Sequence, residues 1–363
     1  AALGYSFKFV WAPLVDKLPL PFLAGILGQR RSWMLVAQML IIASIVLMAM
    51  SDPATAPGLA TMAVAAVLLG FSAATQDIVI DAYRIEAVDE SMQALMSSSY
   101  VAGYRIGMLT AGAVALYLAA GFGTTLENYI YDAWKWTYLC MAATMLVGVI
   151  TTLIISEPVT RGAGSYFHTT FDYVRFVGLF VIFVLSFIAC FQLFSPLIAE
   201  ARKWLADPAG LHPALAGFLS EAMRLVGSLV AALGVVYVAM LMRVARREMV
   251  RDTYVAPVLD FFQRYGKAAT LILLLVGFYR VSDIVLGVIS NVFYQDMGYS
   301  KEAIATATKV FGIWMTILGG FLGGFLSIKY DLMRVLMLGA VMTVLTNLLF
   351  SVLANSPGDL LML

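Results

Sequence analysis

Charge is scarce in this chain. Asp, Glu, Lys and Arg together make up 12% of it, against 62% hydrophobic residues. The net charge is only +1, so no strongly basic surface points to a nucleic-acid partner. Cysteine is rarer still. Cys140 and Cys190 both sit deep in apolar runs, which argues against a disulfide framework or a Cys-rich metal site. The two histidines, His168 and His212, form no paired zinc motif. No P-loop is present, so ATP-driven work within this chain is not expected. Neither a metal nor a cofactor is expected.

What the chain has instead is long apolar runs. A water-soluble helix is apolar along one stripe, whereas runs of about 20 residues that are apolar all round fit a bilayer core about 30 Å thick. Ten such segments are expected: 1–15, 32–50, 59–83, 96–120, 135–156, 174–199, 214–242, 268–292, 304–327 and 332–354. Barrel strands would be about 10 residues long with strict alternation, a pattern absent here. The fold class is therefore all-α integral membrane. With the loop after segment one placed inside, fourteen basic residues of the loops fall inside. Lys135, Arg202, Lys203 and Lys301 fall outside. That bias orients the chain by the positive-inside rule. The longest inner loop, 243–267, holds an amphipathic stretch at 255–265 that is expected on the cytoplasmic membrane surface.

Charges inside apolar segments are costly and mark candidate function. Asp77, Asp81 and Arg84 recur at i, i+4 and i+7, with Gln76 beside them. Arg105, next to Tyr104, lies on the following antiparallel segment, and Lys8 on the first. Rise per residue places Asp77 about 10 Å and Arg105 about 13 Å from the inner ends of their segments. An Asp77–Arg105 pair is therefore expected, with Lys8 or Gln76 in reach. In the later segments, Arg280 and Asp283 are spaced i, i+3 beside Tyr279, and Lys309 lies in the next. Asp77 and Asp283 are the leading proton-coupling candidates, with Arg105 and Arg280 as partners. A purely structural pairing is the alternative for each. Asp81 and Arg84 have a plainer reading, as clamps against Arg30 or Arg31. Glu221 and Arg224 read as an interfacial bridge, and the glycines from Gly319 to Gly324 as close helix packing.

A faint repeat is present. Segment one ends in Asp16-Lys17, followed by Arg30-Arg31; segment nine ends in Lys329-Tyr330-Asp331, followed by Arg334. This resembles the loop between helices 2 and 3, and its copy between helices 8 and 9, in the major facilitator superfamily. On that resemblance Asp16, Arg30, Arg31, Asp331 and Arg334 are gating or structural charges. Residues 1–157 are then an N-terminal half holding helices 2–6. Residues 158–267 are a linker with an extra helix pair and the amphipathic segment. Residues 268–363 are a C-terminal half holding helices 7–9 and the start of a further segment. Two six-helix halves are the full architecture, so the chain is expected to be incomplete at both ends. The extra helices 174–199 and 214–242 are expected outside the bundle, between the halves.

More specific blocks follow: Phe7-Lys8-Phe9-Val10-Trp11-Ala12-Pro13, Gln29-Arg30-Arg31-Ser32-Trp33, Thr75-Gln76-Asp77-Ile78-Val79-Ile80-Asp81, Gly103-Tyr104-Arg105-Ile106-Gly107 and Ala256-Pro257-Val258-Leu259-Asp260. Together they resemble the AmpG muropeptide permease family, with the acetyl-CoA transporter group more distant. The resemblance implies a proton symporter in the inner membrane of a Gram-negative bacterium. It would import anhydro-muropeptides in cell-wall recycling, with a link to β-lactam resistance. It also implies a monomer whose partners are muropeptide, protons and membrane lipid. The extra helix pair departs from shorter family members. Another solute, such as an acetyl-CoA-like or sugar-peptide substrate, is the alternative. An integral-membrane glycosyl transferase ranks lower because the outer loops are small. A receptor or scaffold would not need mid-membrane charges.

Overall fold

The computed structural model describes residues 2–125, 128–158, 170–207, 210–242, 244, 247–299, 304 and 306–355. The side chains of Arg280, Asp283 and Lys309 lie outside the described set.

Among the described residues every regular element is helical. In chain order these are α1 (Ala2–Lys17), α2 (Leu23–Leu27), α3 (Gln29–Ala49), α4 (Ala56–Ala87), α5 (Gln93–Leu109), α6 (Ala115–Gly121), α7 (Tyr131–Ile154) and α8 (Thr170–Leu193). They continue with α9 (Ser195–Ala206), α10 (Pro213–Leu241), α11 (Arg247–Val250), α12 (Ala256–Tyr265), α13 (Lys267–Asp296), α14 (Gly312–Lys329) and α15 (Leu332–Ala354). Eight stretches are long and apolar enough to cross a membrane. They match eight of the ten expected segments. The first and the eighth expected segments are also helical, as α1 and α13. Run length carried this much because a bilayer-spanning backbone must satisfy its own hydrogen bonds, and a helix does so within one segment.

Three details differ from the expected segments, one of them a π-type turn at Thr306–Phe311 that precedes α14 in the segment at 304–327. The segment at 96–120 is not one regular helix, because a π-type turn at Thr110–Val114 joins α5 to α6. The segment at 174–199 ends early. It breaks at Phe194, and α9 starts afresh with Pro196 in its first turn, where a missing N–H costs nothing.

The chain divides into two compact units, residues 1–161 with 266–363, and residues 162–265. In the first, α3 packs against both α4 and α7, and α1 lies on α4. The buried face of α3 is mostly small or polar, with Ser32, Ala37, Gln38, Ser44 and Ala49 beside the larger Met34 and Ile41. Large apolar side chains point outward instead, among them Val64, Val67, Val147 and Ile154. This is the pattern of a membrane bundle. Lipid is as apolar as leucine, so close approach of small residues drives association. In the second unit, α10 packs on α8 and α9.

The start of α3 depends on one glycine. Gly28 has φ +87°, and a Cβ there would lie 2.4 Å from the Glu157 side chain. Both the backbone and the neighbour require glycine. Gly28→Ala should therefore lower unfolding stability by about 1–3 kcal/mol, read as a drop in thermal midpoint of the purified protein. Gly25→Ala is the control: nothing lies within 4 Å of its Cβ position, and its midpoint should not fall.

Candidate functional site

Two charged clusters tie the first unit together. The deeper one joins α1, α4 and α5. Lys8 Nζ on α1 lies 2.6 Å from Asp77 Oδ2 and 3.5 Å from Asp81 Oδ2, both on α4. The Tyr100 hydroxyl on α5 donates a short hydrogen bond to Asp77 Oδ1. Arg84 lies 3.2 Å from Asp81, donates to Ser97 Oγ at 2.6 Å, and has its guanidinium carbon 5.2 Å from the Tyr100 ring centre. Asp77, Asp81 and Arg84 share a face because their spacing follows the helical repeat. Trp11 braces α1 beside the cluster. Its ring packs 4.8 Å from that of Phe71, and its Nε1 donates to Thr75 Oγ1 at 3.2 Å. The Asp77 side chain is 16% exposed, so its charge depends on these partners.

The expected Asp77–Arg105 pair does not form. Arg105 makes no ion pair among the described residues, and its Nε is buried without a hydrogen-bond partner. The reason is where α5 starts and how it is turned. The helix begins at Gln93, three residues before the assumed start at Met96. Tyr100 is then about 10 Å from the inner end, level with Asp77, and Arg105 about 18 Å. Five residues also rotate Arg105 about 140° away from Tyr100 around the helix. Gln76 has no hydrogen bond among the described residues, and Tyr104 is exposed. The Tyr279 hydroxyl lies 2.8 Å from where a Gly339 Cβ would stand, linking α13 to α15.

The second cluster lies at the cytoplasmic end expected from the basic-residue bias. Arg30 is 4% exposed. Its Nη2 lies 2.6 Å from Asp16 of α1 and 2.6 Å from Glu86 of α4, and its Nε donates to the other Glu86 oxygen at 2.9 Å. Glu157 closes the arrangement. Its carboxylate accepts from the backbone N–H groups of Arg30 at 2.7 Å and Arg31 at 3.1 Å. A negative charge at a helix N-terminus complements both the free N–H groups and the helix dipole. Arg31 donates to the carbonyls of Thr152 and Leu153 on α7.

The expected clamp of Asp81 and Arg84 against Arg30 or Arg31 is not what forms. Glu86 and Asp16 hold Arg30, while Asp81 and Arg84 turn to the deeper cluster. One and a half further turns along α4 carry Glu86 to the level of the α3 start. The faint repeat is also unequal. Asp16 pairs with Arg30, whereas Asp331 caps α15 by accepting from the Met333 N–H at 3.2 Å. Arg334 is exposed and makes no ion pair among the described residues.

Glu86, Glu157 and Tyr100 were not expected from sequence. Glu157 had a signal: a lone acid following an apolar run beside a Gly-Gln-Arg-Arg helix start. Tyr100 had none beyond its depth. A third feature is the contact of α5 with α14. Ser98 Oγ donates to the Gly320 carbonyl at 2.6 Å, and a Cβ on Gly324 would lie 3.0 Å from Ser98 Oγ and 3.2 Å from Leu95 Cα. The glycines expected to serve packing allow this approach.

The family model described as Major Facilitator Superfamily matches residues 2–249. The chain belongs to that superfamily. Membership and the eight bilayer-length apolar helices make it a multi-pass membrane protein. A Rickettsia conorii protein named "Putative transporter AmpG 4" is 28% identical over 357 residues, covering 98% of this chain and 64% of its own length. A Haemophilus influenzae "Uncharacterized protein" is 28% identical over 348 residues, covering 95% and 59%. The Escherichia coli K12 "Anhydromuropeptide permease" is 25% identical over 345 residues, covering 95% and 50%. The chain thus spans between half and two-thirds of the length of these relatives. The first and third of these names agree with the AmpG-like resemblance seen in the Gln76-Asp77 and Tyr104-Arg105 blocks.

The deep cluster should behave as one unit. In a double-mutant cycle, Lys8→Met and Asp77→Asn each destabilise the protein, because each deprives the other residue of its nearest opposite charge. The double variant should lose less than the sum, with a coupling of about 1–3 kcal/mol. Strict additivity in detergent unfolding would show that the two groups do not interact energetically.

Proposed function

We propose that the protein imports anhydro-muropeptides from the periplasm into the cytoplasm by proton symport. The observation that carries this reading is the deep cluster. One carboxylate, Asp77, is held by a cation and a phenol from two other helices, while a nearby cation, Arg105, has no such partner. Supporting it is the name of the E. coli relative, "Anhydromuropeptide permease".

The chemistry runs as follows. A carboxylate in a low-dielectric site keeps its proton unless a cation stands beside it. Protonation of Asp77 would cancel its charge pairing with Lys8 and loosen α1 from α4, while its other oxygen could still accept from Tyr100. The muropeptide carries carboxylates of its own, and a guanidinium binds a carboxylate through two parallel hydrogen bonds. Arg105 is the proposed anchor for that group. Lys8, Gln76 and Tyr104 complete the proposed site on this side. Tyr279, Arg280, Asp283 and Lys309 are proposed to face it from the later helices, with Asp283 and Arg280 as a second proton-coupled pair. The α5–α14 contact lies near the inner ends of both helices, so the conformation described is proposed to be closed toward the cytoplasm. Asp16, Arg30, Arg31, Asp81, Arg84, Asp331 and Arg334 are proposed to govern that closure rather than to touch substrate.

The test is uptake of an anhydro-muropeptide into proteoliposomes, with and without an inward proton gradient. Asp77→Asn and Asp283→Asn should lose accumulation driven by the gradient while retaining exchange of substrate across the membrane. Arg105→Gln should weaken apparent substrate affinity by roughly tenfold or more, the size of a lost charged hydrogen bond. Full gradient-driven accumulation by both Asp variants would rule out these carboxylates as proton carriers.

A further inference from the structure

The unit formed by residues 162–265 contains a cleft of about 440 Å³ between α9 and α10, remote in sequence from the proposed transport residues. Its charged lining is Arg202, Lys203 and Asp207 from α9 and its end, and Glu221 and Arg224 from α10. The cleft faces are built by helical spacing: residues 195, 198, 199, 202, 203 and 206 on α9, and 220, 221 and 224 on α10.

One cation is held rigidly. The Arg224 guanidinium carbon sits 3.8 Å from the Phe191 ring centre, and its Nε donates to the Phe191 carbonyl at 2.9 Å. Its bridge to Glu221 is long, 3.4 Å, and Glu221 is 60% exposed. The Arg224 Nη2 is uncommitted among the described residues. Arg202 packs over Gly217, whose Cβ position lies 3.6 Å from the guanidinium carbon. Arg202 and Lys203 make no ion pair among the described residues. Three cations against two carboxylates leave the cleft one positive charge in excess.

We propose that this cleft binds the phosphodiester headgroup of an anionic phospholipid from the outer leaflet. The depth argues for lipid over a free anion. The positive-inside orientation puts α9 at the outer membrane surface. On α9, Trp204 and Leu197 are each 62% exposed, an aromatic and an aliphatic anchor on a short amphipathic helix. That is the signature of a segment lying in the headgroup region. A phosphodiester carries the single negative charge the cleft lacks. Guanidinium groups match its oxygens geometrically, and exposed Phe218 and Leu193 beside the cleft offer apolar surface to the acyl chains.

The test uses the full chain in detergent and native mass spectrometry. Dioleoylphosphatidylglycerol and dioleoylphosphatidylcholine are titrated against the unaltered protein, the double variant Arg202→Gln/Lys203→Gln, and Arg264→Gln. Arg264 is an exposed cation elsewhere in the same unit. The expected result is one tightly held phosphatidylglycerol, preferred over phosphatidylcholine. Its Kd should rise roughly tenfold in the double variant and stay unchanged in Arg264→Gln. Millimolar inorganic phosphate should not displace it. Equal affinity for the two lipids, or equal affinity in the double variant, would overturn the proposal. Displacement of the lipid by phosphate or by an anhydro-muropeptide would also overturn it, by assigning the cleft to a free anion. The readout is lipid binding alone, so it is independent of the transport assay.

Discussion

Arg30 is 4% exposed, and its guanidinium holds carboxylates from two other helices. Removing both acids would strand the guanidinium without a carboxylate in a nearly sealed site, a change that costs about 3–5 kcal/mol in other buried pairs. Much of the first unit follows from pairing that cation, through its Nε and Nη2, with carboxylates. Asp16 fixes the end of α1, Glu86 fixes the last turn of α4, and the α3 start is held by Glu157 from beyond α7. Gly28 makes room for Glu157. Four helices therefore meet at one end through charge, while small residues bring their shafts together.

The deeper cluster differs in kind. Lys8 is 35% exposed on its side chain and Asp77 16%, so the pair is only partly buried. Its members come from three helices that the proposed transport cycle would move. A fully sealed pair would resist such movement, and a fully solvated one would couple weakly. Intermediate burial suits a pair that is made and broken. The clamp around Arg30 suits a fixed hinge end, and the Ser98–Gly320 contact suits two surfaces that part.

The fold was legible to a large degree. Ten apolar segments were expected, and all ten are helical, because span length in a bilayer is set by thickness and rise per residue. The break at Phe194 and the π-type turn at Thr110–Val114 were not. Pro196 signals the first in hindsight, but Thr110-Ala111-Gly112-Ala113-Val114 has no helix-breaking pattern that separates a π-type turn from regular helix. The charged residues were legible as a set. Lys8, Asp77, Asp81 and Arg84 do meet, and Arg105 was placed near them but not with them.

By itself, the sequence determined where the long apolar helices run, which ends are expected to face the cytoplasm by charge bias, and which few charges lie within apolar runs. These are properties of single segments and of hydropathy, so they need no neighbour. Only the tertiary structure decided who pairs with whom. Tyr100 displaced Arg105 at Asp77 because α5 starts three residues early and turns Arg105 about 140° away. Glu86 displaced Asp81 and Arg84 at Arg30, and Glu157 came from a loop more than a hundred residues distant to cap α3. Partner choice depends on helix phase, axial shift and the approach that small residues permit. Each is a relation between helices, set by their packing and invisible to any one of them.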